Sequence, residues 1–141
     1  RDGFRCRHNL GYWEGRDYLG VGPAATSTIG GERWTNPEGE GWLEQVREGR
    51  RCPEREPLDR ATRALELMML RLRTVDGLPL DAYESLAGRS FLGDHGPFAH
   101  RLCAEGLARM ENGVFRLTDE GMLVSNSILG ELFEEEPESA E

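Results

Sequence analysis

The chain has 141 residues, 38% hydrophobic and 30% charged, which is room for one modest domain with an added segment and excludes a large multidomain enzyme. Its formal charge of −9 is unevenly spread: residues 134–141 carry five Glu and no base, and all 17 basic residues are Arg. Neither residues 1–57 nor residues 58–133 are basic, so the positive patch that displaces counterions from phosphates is missing and no nucleic-acid partner is expected.

The longest apolar stretch, Leu65 to Leu72, is broken by Glu66 and Arg71 and falls far short of the roughly 20 apolar residues that a bilayer span needs. No export signal is visible and the first residue is Arg1, which predicts an internal or C-terminal piece of a longer cytoplasmic protein. The cysteines Cys6, Cys52 and Cys103 are widely spaced, with no Cys-x-x-Cys. That argues against a disulfide scaffold and against a structural zinc site or an iron–sulfur cluster held by this chain alone.

Residues 1–39 are rich in glycine and aromatics and hold one strand candidate, Tyr18 to Val21, before Gly22-Pro23. A lone strand cannot satisfy its backbone, so the segment is expected to belong to a larger sheet. Trp42, Leu43 and Val46 share one face of a short helix ended by Gly49, and residues 49–57 read as a linker. Asp59 can cap a helix whose apolar positions Ala61, Ala64, Leu65, Met68 and Leu72 keep the 3.6-residue period, widened by Leu67, Met69 and Leu70.

Asp81 and Glu84 resemble a capping box, with Gly88 closing the helix. Pro97 suits a first helical position, and Gly106 suits the residue just past that helix's end. Asn112-Gly113 between two strand-like runs predicts a two-residue hairpin, since both positions need positive φ. Thr118 then caps a last helix with Leu123, Val124, Ile128, Leu129, Leu132 and Phe133 inward. Three helices, a hairpin and a helix make a winged-helix-like order for residues 58–133, and residues 134–141 read as a disordered acidic tail.

The densest chemistry lies in Cys6-Arg7-His8-Asn9-Leu10-Gly11-Tyr12-Trp13. An imidazole beside flat rings can offer a nitrogen to a haem iron and aromatic surface to the macrocycle, or be a hydrogen-bonded residue of a half-buried loop. Cys6 is equally open as a second ligand, a redox-sensitive thiol between Arg5 and Arg7, or an inert side chain. Gly20 and Gly22 allow a ligand close to the backbone or form a tight corner; the run fails the dinucleotide Gly-x-Gly-x-x-Gly spacing. His95, in a turn, and His100, facing solvent, suggest no function, and no catalytic constellation stands out.

Several of these residues together resemble a family. Cys6-Arg7-His8-Asn9-x-x-Tyr12-Trp13, Tyr18-Leu19-Gly20-Val21-Gly22, Arg33-x-x-Asn36, the Leu67 to Arg73 helix with Gly77, and Arg116-Leu117-Thr118-x-x-Gly121 look like the C-terminal part of HemW-type proteins. These belong to the radical S-adenosylmethionine, oxygen-independent coproporphyrinogen III oxidase-like group. The resemblance implies an α+β chain: the terminal strand and loops of a partial (β/α) barrel over residues 1–57, then the winged-helix-like domain.

It further implies a cytoplasmic haem-binding chaperone that passes haem to an acceptor protein. The full-length form would hold a [4Fe-4S] cluster and S-adenosylmethionine in a barrel that precedes this chain and packs with it. By motif, His8 would be the haem iron ligand, with Asn9, Tyr12 and Trp13 in support. Gly20 and Gly22 would line the cofactor side. Many relatives carry Gly-Ala-His-Ser where this chain reads Ala24-Ala25-Thr26-Ser27, so a second imidazole is missing there. Alternative expectations are an oxygen-independent coproporphyrinogen III oxidase, which the family's breadth allows, and a winged-helix DNA-binding module, which the acidic charge opposes.

Overall fold

The computed structural model describes residues 7–49 and 54–134, with only the backbone of Arg7, His8, Phe133 and Glu134. The expectations placed on Cys6, Cys52, Phe133, the His8 side chain and the acidic tail lie outside what it describes. The chain divides into two compact units at Arg63/Ala64, inside one helix, and each is described by itself.

The first unit opens with helix α1 (Arg7–Trp13), where the glycine content predicts loop. Strands β1 (Thr26–Ile29) and β2 (Glu32–Thr35) then form an antiparallel hairpin. Its two-residue turn is Gly30-Gly31, at φ 61° and 84°, and a Gly-Gly turn with both φ positive matches the right-handed twist of the flanking strands. β3 (Glu56–Pro57) lines up against β2, so the expected linker contributes the third strand of an open antiparallel sheet ordered β1-β2-β3.

The expected strand at Tyr18–Val21 reduces to one bridge, Tyr18 to Thr28, because Gly20 and Gly22 interrupt the ladder with side-chain hydrogen bonds described below. Trp34 is the buried apolar side chain of this unit's sheet, covered by the Arg55 guanidinium 4.7 Å from its ring centre. α2 (Gly39–Arg47) forms where Trp42, Leu43 and Val46 predict it but buries none of its residues.

α3 (Arg60–Arg71) starts where Asp59 predicts: the Asp59 carboxylate accepts from the Thr62 backbone N–H at 2.7 Å and from its hydroxyl at 2.9 Å. The second unit gathers around the buried α3 residues Ala64, Leu67 and Met68. Next come β4 (Leu78–Pro79), α4 (Leu80–Ala87) and α5 (Phe91–Ala104). The hairpin β5 (Ala108–Glu111) and β6 (Val114–Leu117) follows, with Asn112 at φ 52° and Gly113 at φ 73°, the left-handed pair that the sequence predicts. β4 adds to the other edge of β6, giving the order β4-β6-β5. Phe91, Phe98 and Phe115 are fully buried between these layers, each contributing about 1.5–3 kcal/mol by leaving water.

Three boundaries differ from expectation for physical reasons. α5 reaches back to Phe91, where Ser90 accepts from the Gly93 N–H, but it is two helical stretches joined by a kink at the non-helical His95 (φ −124°, ψ 20°), and Pro97, two residues on, stands at the start of the second, as expected. Asp81 lies inside the first turn of α4 rather than capping it; Pro79, which has no N–H to leave unpaired, precedes the helix. The last helix is two, α6 (Asp119–Leu123) and α7 (Ser125–Glu134), split at Val124 (φ −112°). The split turns Leu123 (88% exposed) and Val124 outward, while Ile128, Leu129 and Leu132 are buried as expected.

Thr118 ties the hairpin to α6. Its hydroxyl donates to the Gly106 carbonyl at 2.8 Å and accepts from the Gly121 N–H at 3.1 Å. A Cβ at Gly121 would drive into the Leu107 carbonyl, so this glycine is required by close backbone approach rather than by its φ. Gly121→Ala should therefore destabilise the second unit by about 1–3 kcal/mol in a denaturant melt, the usual cost of overpacking.

The hydrogen bonds from Thr62 hold the Asp59 carboxyl below its ordinary value. A depressed folded-state pKa contributes stability above the unfolded pKa and loses it as pH falls through the folded one. The Thr62 amide should thus lose hydrogen-exchange protection on acidification below the usual aspartate range, and Asp59→Ala should abolish that pH dependence.

Candidate functional site

In α1, Asn9 and Trp13 stand one turn apart, as do His8 and Tyr12. Asn9 is exposed, and Tyr12 (41%) and Trp13 (39%) are substantially so, so two large rings of this helix present apolar surface to solvent. Tyr12 packs its ring on Tyr18 at 5.1 Å between centres, tilted by 60°. This contact joins α1 to Tyr18, two residues before Gly20 in the chain.

The loop itself is held by side chains. The Tyr18 N–H donates to the Thr28 carbonyl at 2.9 Å, and Thr28 returns the bond at 3.0 Å. The Gly20 N–H donates to the hydroxyl of Ser27 at 3.0 Å, and Ser27 is fully buried. The Asn36 carboxamide donates to the carbonyls of Gly22 (2.9 Å) and Gly20 (3.4 Å), while its backbone N–H reaches the Ala25 carbonyl at 2.9 Å. Arg33 donates from Nε to the Thr28 hydroxyl at 3.2 Å. Asn36 is therefore the support of the loop, while Arg33 braces strand β1 at Thr28, roles that the Arg33-x-x-Asn36 spacing alone does not disclose.

The two glycines differ. A Cβ on Gly20 would collide with the Thr26 carbonyl, so this position is closed by the protein's own backbone; Gly22 (φ 109°) faces open space with nothing within 4 Å of a notional Cβ. Of the pair, Gly22 alone leaves room for close approach of a ligand. Its positive φ is one that L side chains rarely adopt.

In the second unit, Tyr83, buried on α4, donates its hydroxyl to Asp94 at 2.9 Å and lies 3.0 Å from Nε2 of His95. Since the hydroxyl has one proton and an ionised carboxylate only accepts, Nε2 of His95 is the donor in that contact. The cluster fixes the kink of α5, which makes His95 a structural residue. His100 is exposed, and Arg101 beside it pairs with Glu131 and with Glu105. Cys103 is half-buried, and burial raises its thiol above the ordinary value, the opposite of an activated thiolate. Among the described residues no three His, Cys, Asp or Glu side chains could jointly hold a metal ion.

The geometry of the second unit has a known counterpart. A family model for the HemN C-terminal domain matches residues 58–124. The whole chain is 32% identical over 131 residues to the heme chaperone HemW of Mycobacterium tuberculosis, covering 92% of this chain and 32% of that protein. It is 34% identical over 155 residues to the heme chaperone HemW of Synechocystis sp., covering 94% and 37%. The chain thus spans about a third of the length of the curated relatives it matches.

Its fold resembles that of coproporphyrinogen III oxidase (HemN) from Escherichia coli, a radical SAM enzyme, with a TM-score of 0.58 at 19% identity, over 82% of this chain and 28% of that one. The stretch similar to the HemN C-terminal domain holds the helices α3 to α6 and the β5-β6 hairpin, and the Arg116–Gly121 motif of the sequence is the hairpin-to-α6 junction. Gly77 (φ 73°) belongs to the same junction, since a Cβ there would lie 2.6 Å from Cβ of Arg116.

Asn36→Ala should release the glycine loop. The expected outcome is a loss of about 1–3 kcal/mol in stability, the cost of unpaired carbonyls and a lost bridge, with faster amide exchange at Gly20 than at the hairpin β1-β2.

Proposed function

We propose that this chain is the C-terminal part of a HemW-type haem chaperone, that it contributes a haem-binding segment at His8, Asn9, Tyr12 and Trp13, and that the complete protein delivers haem to an acceptor protein in the cytoplasm. One observation supports the reading: the helix that carries the motif packs Tyr12 on Tyr18, two residues before Gly20. Exposed tyrosine and tryptophan rings suit the flat apolar face of a porphyrin, whose burial against them leaves water. The imidazole of His8 would supply the iron ligand, and Gly22, with open space around it, would let the macrocycle approach the backbone.

The [4Fe-4S] cluster and S-adenosylmethionine of the family would belong to a preceding barrel with which residues 1–57 would pack. This chain has no cysteine triad in the spacing such a cluster needs, so no radical step is assigned to it. In this reading residues 58–133 form a winged-helix-like unit that covers the barrel or meets the acceptor. The order α3-β4-α4-α5-β5-β6 with β4 paired to β6 supports it. No described helix is long and apolar enough to cross a membrane.

The similarity to coproporphyrinogen III oxidase favours one alternative, oxidative decarboxylation of coproporphyrinogen by the longer protein. An anaerobic assay of that protein, reconstituted with its cluster, decides: sustained turnover selects the oxidase, and haem binding without turnover selects the chaperone. For the ligand itself, titration of haem into the longer protein should give a saturable Soret band that His8→Ala abolishes or shifts strongly. An unchanged band and affinity in that variant would remove His8 as ligand.

A further inference from the structure

On the hairpin of the second unit, Arg109 of β5 stands directly opposite Arg116 of β6. Opposed residues of an antiparallel pair point to the same face with Cβ atoms about 5 Å apart, and both arginines line one cleft of about 360 Å³. Like charges in that register destabilise a hairpin, and no hydrogen bond within the described residues offsets the cost. Arg116 reaches only the Glu111 carboxylate, at 3.6 Å, and its Nε is buried with nothing to donate to. Arg109 is exposed and pairs with nothing among the described residues.

The acidic residues of the cleft are accounted for. Asp119 and Glu120 stand in the first turn of α6, where free backbone N–H groups favour negative charge, and Glu111 faces Arg116. What is left over is a pair of guanidinium forks, which match a planar carboxylate bidentately. The flanking acids repel phosphates and other multiply charged anions more than a single carboxylate. Val75, 66% exposed, and Met122 add apolar surface. A free small carboxylate would stay largely in water here, because Val75, Arg109, Glu111, Asp119 and Glu120 are all exposed, whereas small-molecule pockets bury most of their ligand. A polypeptide brings its own surface to close the cleft.

We propose that this cleft is a docking site for a partner polypeptide: Arg109 and Arg116 grip the carboxylate of one of its Asp or Glu side chains, and an apolar residue beside that acid packs on Val75 and Met122. The proposal rests on the reading that residues 58–133 meet an acceptor protein, and it gives that meeting a chemistry. With the carboxylate between them, the two arginines no longer repel without compensation.

The test is titration of the synthetic peptide acetyl-Leu-Glu-Leu-amide into the 141-residue chain and into the longer protein, followed by NMR at the arginine Nε–H groups and the Val75 and Met122 methyls. Saturable shifts at these groups are expected in both proteins, and none from the peptide with Gln in place of Glu. Arg109→Gln and Arg116→Gln should each weaken binding about tenfold, the worth of one charge-assisted hydrogen-bonded contact. Arg109 is exposed, so its replacement reads binding rather than folding.

No saturable shift, equal shifts from both peptides, or binding that neither substitution weakens would overturn the proposal. Inorganic phosphate shifting the same groups at equal concentration would overturn it too, by making the cleft an unselective anion site. So would binding by the short chain alone, which makes the occupant the rest of the polypeptide, or binding only after removal of residues 135–141, which makes it the acidic tail. Peptide binding by a longer protein that gives no Soret band with haem would uphold the cleft and refute the haem reading; a Soret band without peptide binding would do the reverse.

Discussion

A single carboxamide, that of Asn36, sets which edge of the Tyr18–Gly22 segment faces the protein. By donating to the carbonyls of Gly20 and Gly22 it draws alternate main-chain groups inward, and the buried Ser27 hydroxyl completes the set at the Gly20 N–H. The rest of the candidate site depends on that arrangement. Tyr18 is left where Tyr12 of α1 can pack on it, and Gly22 is left open. Gly20 cannot be anything larger, because the inward pull brings it against the Thr26 carbonyl. Of the two glycines that the sequence offers together as ligand contacts, Gly20 is consumed by the fold and Gly22 is the one with space.

The second unit uses the same device at a different junction. Gly121 lets the first turn of α6 press on the Leu107 carbonyl, and Gly77 lets the chain pass over Arg116. Thr118 joins the two sides through its hydroxyl. Close backbone approach brings the hairpin, α6 and the loop before β4 together, and the buried Phe115 of β6 then packs on Phe91 of α5 at 5.1 Å. The Leu117-Thr118-x-x-Gly121 part of the motif is thus explained by packing and needs no ligand.

The elements legible in the sequence are those governed by local rules. Asn112-Gly113 specified a hairpin, Asp59 and Thr118 specified helix starts, and the 3.6-residue period of Ala61, Ala64, Leu65, Met68 and Leu72 identified a helix, of which Ala64, Met68 and Leu72 are buried together with Leu67, while Ala61 is exposed and Leu65 half-buried. Gly30-Gly31 carried the same hairpin signal between Thr26–Ile29 and Glu32–Thr35, and the β-branched residues on either side could have found it. A strand over Tyr18–Val21 overstates the single bridge at Tyr18, since residue type says nothing about where each N–H finds an acceptor. Leu123 and Val124 would face inward only on a continuous helix, and the break at Val124 turns them to the surface.

The His8–Trp13 motif and its resemblance were visible in the residues; that Tyr12 meets Tyr18 was not. By itself the sequence determined the turns, caps and helical stripes, because these depend on φ preferences and on hydrogen bonds within a few residues. It also determined the acidic balance and the set of side chains available for chemistry. Only the tertiary structure decided that Asn36 supports a loop 14 and 16 residues away from it, and that Gly20 is closed and Gly22 open. Those outcomes follow from which distant backbone groups approach each other, and no local propensity encodes that.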